Sequence, residues 1–325
     1  MNCAFNELAP PCEALKEGWL RTKKNVTLPL KAQTGWFFKV TQSARTTPSA
    51  LFSVALHFLL GQPPLLKRFG WLALFLAAPL LAQQRPLLTE DPRTISDGTL
   101  VTELGFAYLN RARFPVSGLE GDEFSFLVNS INVGLGSRGE FQISGVAHNF
   151  LWTKTTRRND WGDFSVSTKI KLVKEARRRP IVTFRTTVTL PNTNNEKGLG
   201  TDGTHFFGSL LFGKTAGPVF VFGNLGLGIL DDAVRAAAQQ DVLTYGLAAS
   251  LRLNSRLNLL GEVNGWRNPQ ENPSPGGEDR GQARMGLQIR GGGLRWDVGA
   301  TAGTTRWDHK TGLVFGFTKE FRLWQ

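Results

Sequence analysis

Apolar and polar residues alternate with a period of two along much of the chain, most regularly in residues 161–191. Strict alternation over about ten residues predicts a β-strand with one apolar face and one polar face. Strands of about ten residues cross a bilayer when tilted, so the pattern predicts a membrane barrel with lipid outside and a polar lumen inside. In the first half of this stretch the two faces are Phe164, Val166, Thr168, Ile170 and Leu172 against Asp163, Ser165, Ser167, Lys169 and Lys171.

Similar alternation elsewhere predicts an all-β fold, a closed antiparallel transmembrane β-barrel of about twelve strands. Its connections are predicted to alternate between short periplasmic turns and longer extracellular loops. A change of parity between Phe126 and Ile131 predicts a bulge in the second strand. Trp152, Trp161 and Trp266, at strand ends beside long loops, predict an aromatic girdle. The predicted strands are about residues 99–110, 123–136, 140–152, 163–172, 181–190, 204–213, 219–229, 242–253, 257–266, 281–290, 294–303 and 312–323.

The front of the chain reads differently. Lys67 and Arg68 precede an apolar run, residues 69–81, which is too short to span a bilayer, and Ala82 precedes two glutamines. This order predicts a secretory signal peptide over residues 65–82, cleaved after Ala82. Residues 1–64 show no sustained pattern and are expected to be an unstructured leader, either an over-extended start or a real cytoplasmic segment. Residues 83–98 are expected to be a periplasmic lead-in and residues 99–325 the barrel.

Charge and cysteine content exclude several classes of function. The formal net charge is +12, but residues 1–82 carry nine Lys/Arg and three Asp/Glu, which is half of the excess. No basic helix or aromatic recognition platform follows, so nucleic acid is not an expected partner. Cys3 and Cys12 both precede the predicted cleavage site. The mature chain would then have no disulfide and no cysteine metal site, and no cofactor is expected.

Charged residues on the predicted lumen faces are the candidate functional residues. One interpretation is that they line a pore and set its charge selectivity. The other is that they pair with one another and brace or plug a narrow lumen, since side chains can fill a small barrel. Arg284, Arg290 and Arg295 would form a basic ladder, unless Asp297 and Glu262 pair with them. The full set is Glu103, Lys169, Lys171, Arg185, Arg252, Glu262, Arg284, Arg290, Arg295 and Asp297.

An enzyme is not expected. Catalysis by a nucleophile needs a base within hydrogen-bond reach, and His205 and Ser209 are two same-face steps apart on one predicted strand. No Gly-x-Ser-x-Gly motif occurs. Asp202 and His205 have no Cys or second His nearby, so a metal site is not expected either. The alternatives to a channel are a structural or adhesive barrel and, second, an outer-membrane lipid hydrolase.

Several short motifs carry a family resemblance. Residues 161–164 (Trp-Gly-Asp-Phe) enter an alternating strand, and residues 187–191 (Thr-Val-Thr-Leu-Pro) end the next one before a polar, Gly-rich loop. Residues 221–226 (Val-Phe-Gly-Asn-Leu-Gly) form a later Asn/Gly strand. With these motifs the chain resembles, over residues 95–325, the bacterial outer-membrane transporter family associated with the meta-pathway of phenol degradation.

The resemblance implies a passive channel or transporter for small, often aromatic or apolar compounds in the bacterial outer membrane. Expected partners are outer-membrane lipid, a small-molecule solute and the barrel-assembly machinery. That machinery reads a C-terminal aromatic residue, and here the chain departs from the pattern. Lys319 interrupts the alternation and Gln325 ends the chain, although the register is kept by Phe315, Phe317, Phe321 and Leu323.

Overall fold

The protein, seen in a computed structural model, is described over residues 85–235 and 237–324. The predicted leader and signal peptide lie outside these residues. In the described part no helix is long and apolar enough to cross a membrane. The strands are β1 (Thr99–Phe114), β2 (Leu119–Leu135), β3 (Gly139–Trp152), β4 (Arg157–Asp160), β5 (Phe164–Val173), β6 (Ile181–Leu190), β7 (His205–Ala216), β8 (Val219–Asp231), β9 (Gln239–Arg252), β10 (Leu257–Arg267), β11 (Arg280–Gly291), β12 (Leu294–Gly303) and β13 (Thr311–Arg322).

The sheet closes on itself, which confirms the predicted all-β closed antiparallel barrel of twelve strands. Each barrel strand pairs with its neighbours in the chain, and β1 pairs with both β2 and β13. The thirteenth strand, β4, extends β5. Gly145 of β3 faces Phe164 of β5, and four residues further on Asn149 faces Asp160 of β4, so the register is unchanged across the interruption.

The two faces of the sheet have the predicted orientation. Leu247 on the outer face is 60% exposed, whereas Lys169 on the inner face is 2% exposed. Outward residues such as Ile170, Phe184 and Met285 are exposed and apolar. The barrel is therefore apolar outside and polar inside, the reverse of a soluble sheet with an apolar core.

The connections divide the barrel into two ends. At one end, called the short-turn end, lie residues 136–138, 174–180, 217–218, 253–256 and 292–293. At the other, the long-loop end, lie residues 153–163, 191–204, 232–238, 268–279 and 304–310. The first connection breaks this pattern, because β1 and β2 extend until only residues 115–118 separate them.

Bulges explain why these first two strands extend beyond the ranges predicted from their alternation. The predicted bulge in β2 is confirmed: the register against β1 shifts between Gly105 and Ala107, and Leu127 has a φ of 53°. A second bulge at Arg111 (φ 54°) lets β1 continue to Phe114. Asp122 Oδ1 accepts the Arg111 N–H there at 3.0 Å. Each bulge reverses which parity faces inward.

Candidate functional site

Residues 85–97, called the internal segment, run inside the barrel in its short-turn half. We expected residues 83–98 to be a periplasmic lead-in, and the described part of that stretch instead contacts lumen faces all round the barrel. Leu87 is 2% exposed. It belongs to a buried cluster with Ile181, Phe220, Phe222, Ala248 and Leu260, from β6, β8, β9 and β10. The internal segment is therefore packed into the lumen.

Glycines on the inner face make room for this segment. A Cβ at Gly213 would lie 2.8 Å from Pro92 Cγ, and one at Gly246 would lie 2.8 Å from Thr89 Oγ1. A Cβ at Gly299 would lie 3.2 Å from Pro86 Cβ. Close approach of a second backbone is a common reason for glycine within a strand.

Glu90 of the internal segment enters a buried group of charges on β3, β5 and β6. Lys169 Nζ lies 3.0 Å from Glu90 Oε1 and 3.4 Å from Glu140 Oε2. Arg185 Nη2 lies 3.4 Å from Glu90 Oε2, and Gln142 donates to Glu90 at 3.1 Å. Buried charges are costly unless paired and hydrogen-bonded, and here each carboxylate has both kinds of partner.

The same group also holds the backbone of the internal segment. Lys169 Nζ donates to the Arg93 carbonyl at 3.0 Å, and Glu140 accepts the Ile95 N–H at 2.9 Å. Thr183 of β6 donates to the Pro92 carbonyl at 2.5 Å. The barrel wall therefore contacts the backbone of the internal segment as well as the Glu90 carboxylate.

Glu262 of β10 binds the backbone of the internal segment on another side of the barrel. Its two carboxylate oxygens accept the N–H groups of Leu88 (2.8 Å) and Thr89 (2.7 Å). Arg284 of β11 donates to the Pro86 carbonyl at 2.7 Å, and its Nε lies 3.8 Å from Glu262. Charge-assisted hydrogen bonds of this kind are stronger than neutral ones.

A third group surrounds the Arg85 carbonyl. Gln288 donates to this oxygen at 2.6 Å and Arg295 at 3.4 Å. Arg295 is itself buried between Glu103 (3.1 Å) and Asp297 (2.9 Å). Residues from β1, β11 and β12 thus complete a ring of contacts around the internal segment.

The structure brings most of the predicted lumen residues to this one feature. They contact the internal segment or the side chains that hold it: Glu103, Lys169, Arg185, Glu262, Arg284, Arg295 and Asp297. The predicted ladder of arginines without acidic partners does not form, because Arg284 and Arg295 pair with carboxylates. Sequence reasoning missed Glu90, Glu140, Gln142 and Gln288, of which the last three have inward parity on predicted strands.

The remaining predicted residues lie elsewhere. Lys171 donates to the Ser137 carbonyl in a short turn at 3.4 Å. Arg252 is exposed at the last position of β9. Arg290 is half-buried on β11 and faces Arg295 across the β11–β12 pair. All three are near the short-turn end, where the lumen meets solvent.

A cavity of about 330 Å³ lies toward the long-loop end. Loops 115–118, 191–204 and 268–279 all contribute to its lining and approach each other, with Ser117 Oγ donating to the Gly198 carbonyl at 2.8 Å. Trp266, expected in the aromatic girdle, lines this cavity instead. Trp152 and Trp161 are exposed, Trp161 by 57%.

Histidines near the cavity are held by hydrogen bonds. His205 Nε2 lies 3.1 Å from Thr201 Oγ1, and its Nδ1 accepts the Asp231 N–H at 3.2 Å, so both ring nitrogens have partners other than Ser209. Burial lowers the pKa of His309, which lies in loop 304–310, and Asp308 opposes this shift. Among the described residues no group of three or more His, Cys, Asp or Glu could hold a metal ion.

Comparisons with known proteins establish the fold. The chain matches no family model and no curated protein. It is similar to the crystal structure of an outer-membrane channel from Pseudomonas putida F1, at 11% identity and a TM-score of 0.53, over 71% of this chain and 98% of that one. Weaker likenesses are to the NanC porin (9% identity, TM-score 0.43, 67% of this chain and 97% of that one) and to the NalP autotransporter translocator domain of Neisseria meningitidis (12%, 0.40, 68% and 87%).

Proposed function

We propose that the protein is a channel for small solutes in the bacterial outer membrane, and that the internal segment must leave its contacts before solutes pass. The observation that carries the proposal is the ring of charge-assisted contacts between this segment and the lumen wall. A barrel that is apolar outside and polar inside suits a bilayer. A polar lumen occupied by an irregular segment suits a gated pore.

The composition of the contacts supports a segment that can be released. The segment is held by the side chains of Lys169, Arg185, Glu262 and Arg284. When the segment moves away, water can take its place as the hydrogen-bond partner of each of these side chains. Leu87 adds an apolar anchor in one place. After the segment is released, these charged side chains would remain on the barrel wall and would face the passing solute.

The resemblance and the cavity support the proposed substrate class. The resemblance to transporters associated with phenol degradation implies small aromatic or apolar compounds, and the cavity offers Trp266 and Phe207 to such compounds. The link to that pathway is part of the proposal. We also propose that the protein is not an enzyme, since His205 is held by Thr201 and by a backbone N–H rather than by Ser209.

Single-channel conductance in planar bilayers tests the proposal. Glu90→Lys places a third cation beside Lys169 and Arg185, so it should expel the segment and raise both conductance and open time well above wild type. Glu271→Lys makes the same charge change on an exposed loop residue and should behave as wild type.

A barrel without transport is the alternative, and the occupied lumen favours it. That alternative predicts that Glu90→Lys conducts no better than Glu271→Lys although both variants fold. Folding is checked by the slower migration of the boiled protein relative to the unboiled protein in SDS gels.

A further inference from the structure

The cavity at the long-loop end contains a carboxylate that accepts no hydrogen bond from the described residues, and we propose that the cavity binds small organic ammonium compounds with an aromatic or apolar body. The carboxylate is that of Glu123 on β2. This inference rests on the proposed function for its relevance to permeation, and it narrows the solute class to cations.

The other acidic groups of the cavity are already occupied. Asp163 Oδ1 accepts the N–H groups of Asn192 (2.8 Å) and Thr193 (2.9 Å) together with the Thr193 hydroxyl (2.7 Å). Asp308 Oδ2 accepts the Gly281 N–H at 2.8 Å and the Thr305 hydroxyl at 2.6 Å. These carboxylates hold loops in place and are not free for a ligand.

Both guanidinium groups of the lining have partners, although Arg280 Nε is buried without a hydrogen bond. Arg113 Nε donates to Glu120 at 3.0 Å, and its Nη1 donates to the Arg306 carbonyl. Arg280 Nη1 donates to the Trp307 carbonyl and lies 4.0 Å from Asp308. Arg280 attracts the Glu123 carboxylate electrostatically, so an anionic ligand that approached Arg280 would be repelled by Glu123.

Glu123 differs from these groups. The bulge at Leu127 reverses the parity of β2, so Glu123 faces inward with buried Ser125. Within the described residues its carboxylate accepts no hydrogen bond and forms no ion pair within 4 Å, and Arg280 acts on it only from a greater distance. A carboxylate that lacks a hydrogen-bond donor in a half-buried cavity is costly, and a ligand ammonium group would supply both a donor and an opposite charge.

The apolar lining suits the rest of such a ligand. Trp266, Phe207, Phe114 and Leu230 line the cavity, and the Trp266 ring is fixed by donation of its Nε1–H to the Glu278 carbonyl at 2.9 Å. Aromatic faces attract organic cations as well as other rings. A volume of about 330 Å³ is at the lower end of the range for small-molecule sites, which suits a compound built on one ring.

Three probes separate charge from shape, because benzylammonium, benzyl alcohol and benzoate share one ring. Their binding to the purified, detergent-solubilised full-length protein is measured by isothermal titration calorimetry. We expect benzylammonium to bind more tightly than benzyl alcohol, and benzoate to bind most weakly. Glu123→Gln should weaken benzylammonium binding by about tenfold or more, the range for a hydrogen bond to a charged group, and leave benzyl alcohol unchanged. Glu271→Gln, which removes one exposed charge, should change nothing.

Benzoate binding as tight as benzylammonium, or an unchanged benzylammonium affinity in Glu123→Gln, would overturn the inference. If Glu123→Gln does not fold, the wild-type ranking of the three probes decides, supported by Trp266→Leu, which should weaken the binding of all three. Calorimetry in detergent requires no conduction. Binding without conductance in Glu90→Lys therefore refutes the proposed function alone, and conductance without this ranking refutes the ammonium site alone.

Discussion

Lys169 of the barrel wall lies 3.0 Å from Glu90 of the internal segment, and both side chains are almost completely buried. This pair joins parts of the chain that are far apart in sequence, inside a lumen that would otherwise hold water. Removing one member of a buried pair leaves an uncompensated charge. The energetics of the occupied lumen therefore depend on a small number of charged side chains, and each can be changed separately.

Glu262 offers the first prediction. Replacing it with Gln removes the charge that accepts the Leu88 and Thr89 N–H groups and leaves Arg284 without its carboxylate. We expect the free energy of unfolding to fall by about 3 kcal/mol, the cost of breaking a buried pair from one side. Urea unfolding in detergent, followed by tryptophan fluorescence, measures this. Glu271→Gln is the control, and an equal loss in both variants would contradict the prediction.

The glycines that admit the internal segment give the second prediction. In Gly213→Val the new side chain would meet Pro92 of the internal segment and Phe220 of β8, since Pro92 Cγ and Phe220 Cζ each lie 2.8 Å from the position of a Cβ. The segment should be displaced and the mean current should rise. A Cβ at Gly261 would meet only the Arg284 carbonyl oxygen, at 3.8 Å, so Gly261→Ala should keep the wild-type current. Equal currents in these two variants would show that space at Gly213 does not control closure.

The third prediction concerns pH. Burial lowers the pKa of His309 below its usual value near 6.5, so the folded protein binds fewer protons than the unfolded chain just below that pH. Stability contributed by neutral His309 is present above pH 6.5 and is lost as the pH falls towards the lowered folded pKa. Unfolding measured from pH 8 to pH 5 should show this loss. His309→Gln should remove part of the slope, and an unchanged slope would exclude His309 as its source.

Much of the barrel could be predicted because strand alternation is local. The period of two in residues 163–172 and 242–253 fixes which side chains face inward, and the backbone allows no other arrangement without a bulge. The same parity that puts Asn258, Glu262 and Asn264 inward also puts Trp266 inward. The girdle assignment of Trp266 was therefore wrong for a reason visible in the sequence.

The internal segment could not be predicted in the same way. Residues 85–97 show no periodic pattern, and their partners lie tens to hundreds of positions away, as Leu88 and Glu262 illustrate. Sequence reasoning identified inward charges but not the segment that they hold. A charged residue at an inward position looks the same in the sequence whether it lines an open lumen or binds a docked segment. Glu123 could have been assigned inward, because the bulge predicted from sequence and found at Leu127 reverses the parity of β2, but sequence reasoning did not extend that reversal to Glu123.

The central claim is that the internal segment closes the lumen and must move for solutes to pass. Its most direct test is the conductance of a Glu90→Lys barrel that also carries Thr89→Cys and Gly246→Cys, since a Cβ at Gly246 would lie 2.8 Å from Thr89 Oγ1, within reach of a disulfide. The two cysteines without Glu90→Lys are the control for crowding at Gly246. The oxidised protein should stay closed and reduction should open it, reversibly, in one and the same preparation. Full conductance in the oxidised protein, with the disulfide verified by mass spectrometry, would contradict the account.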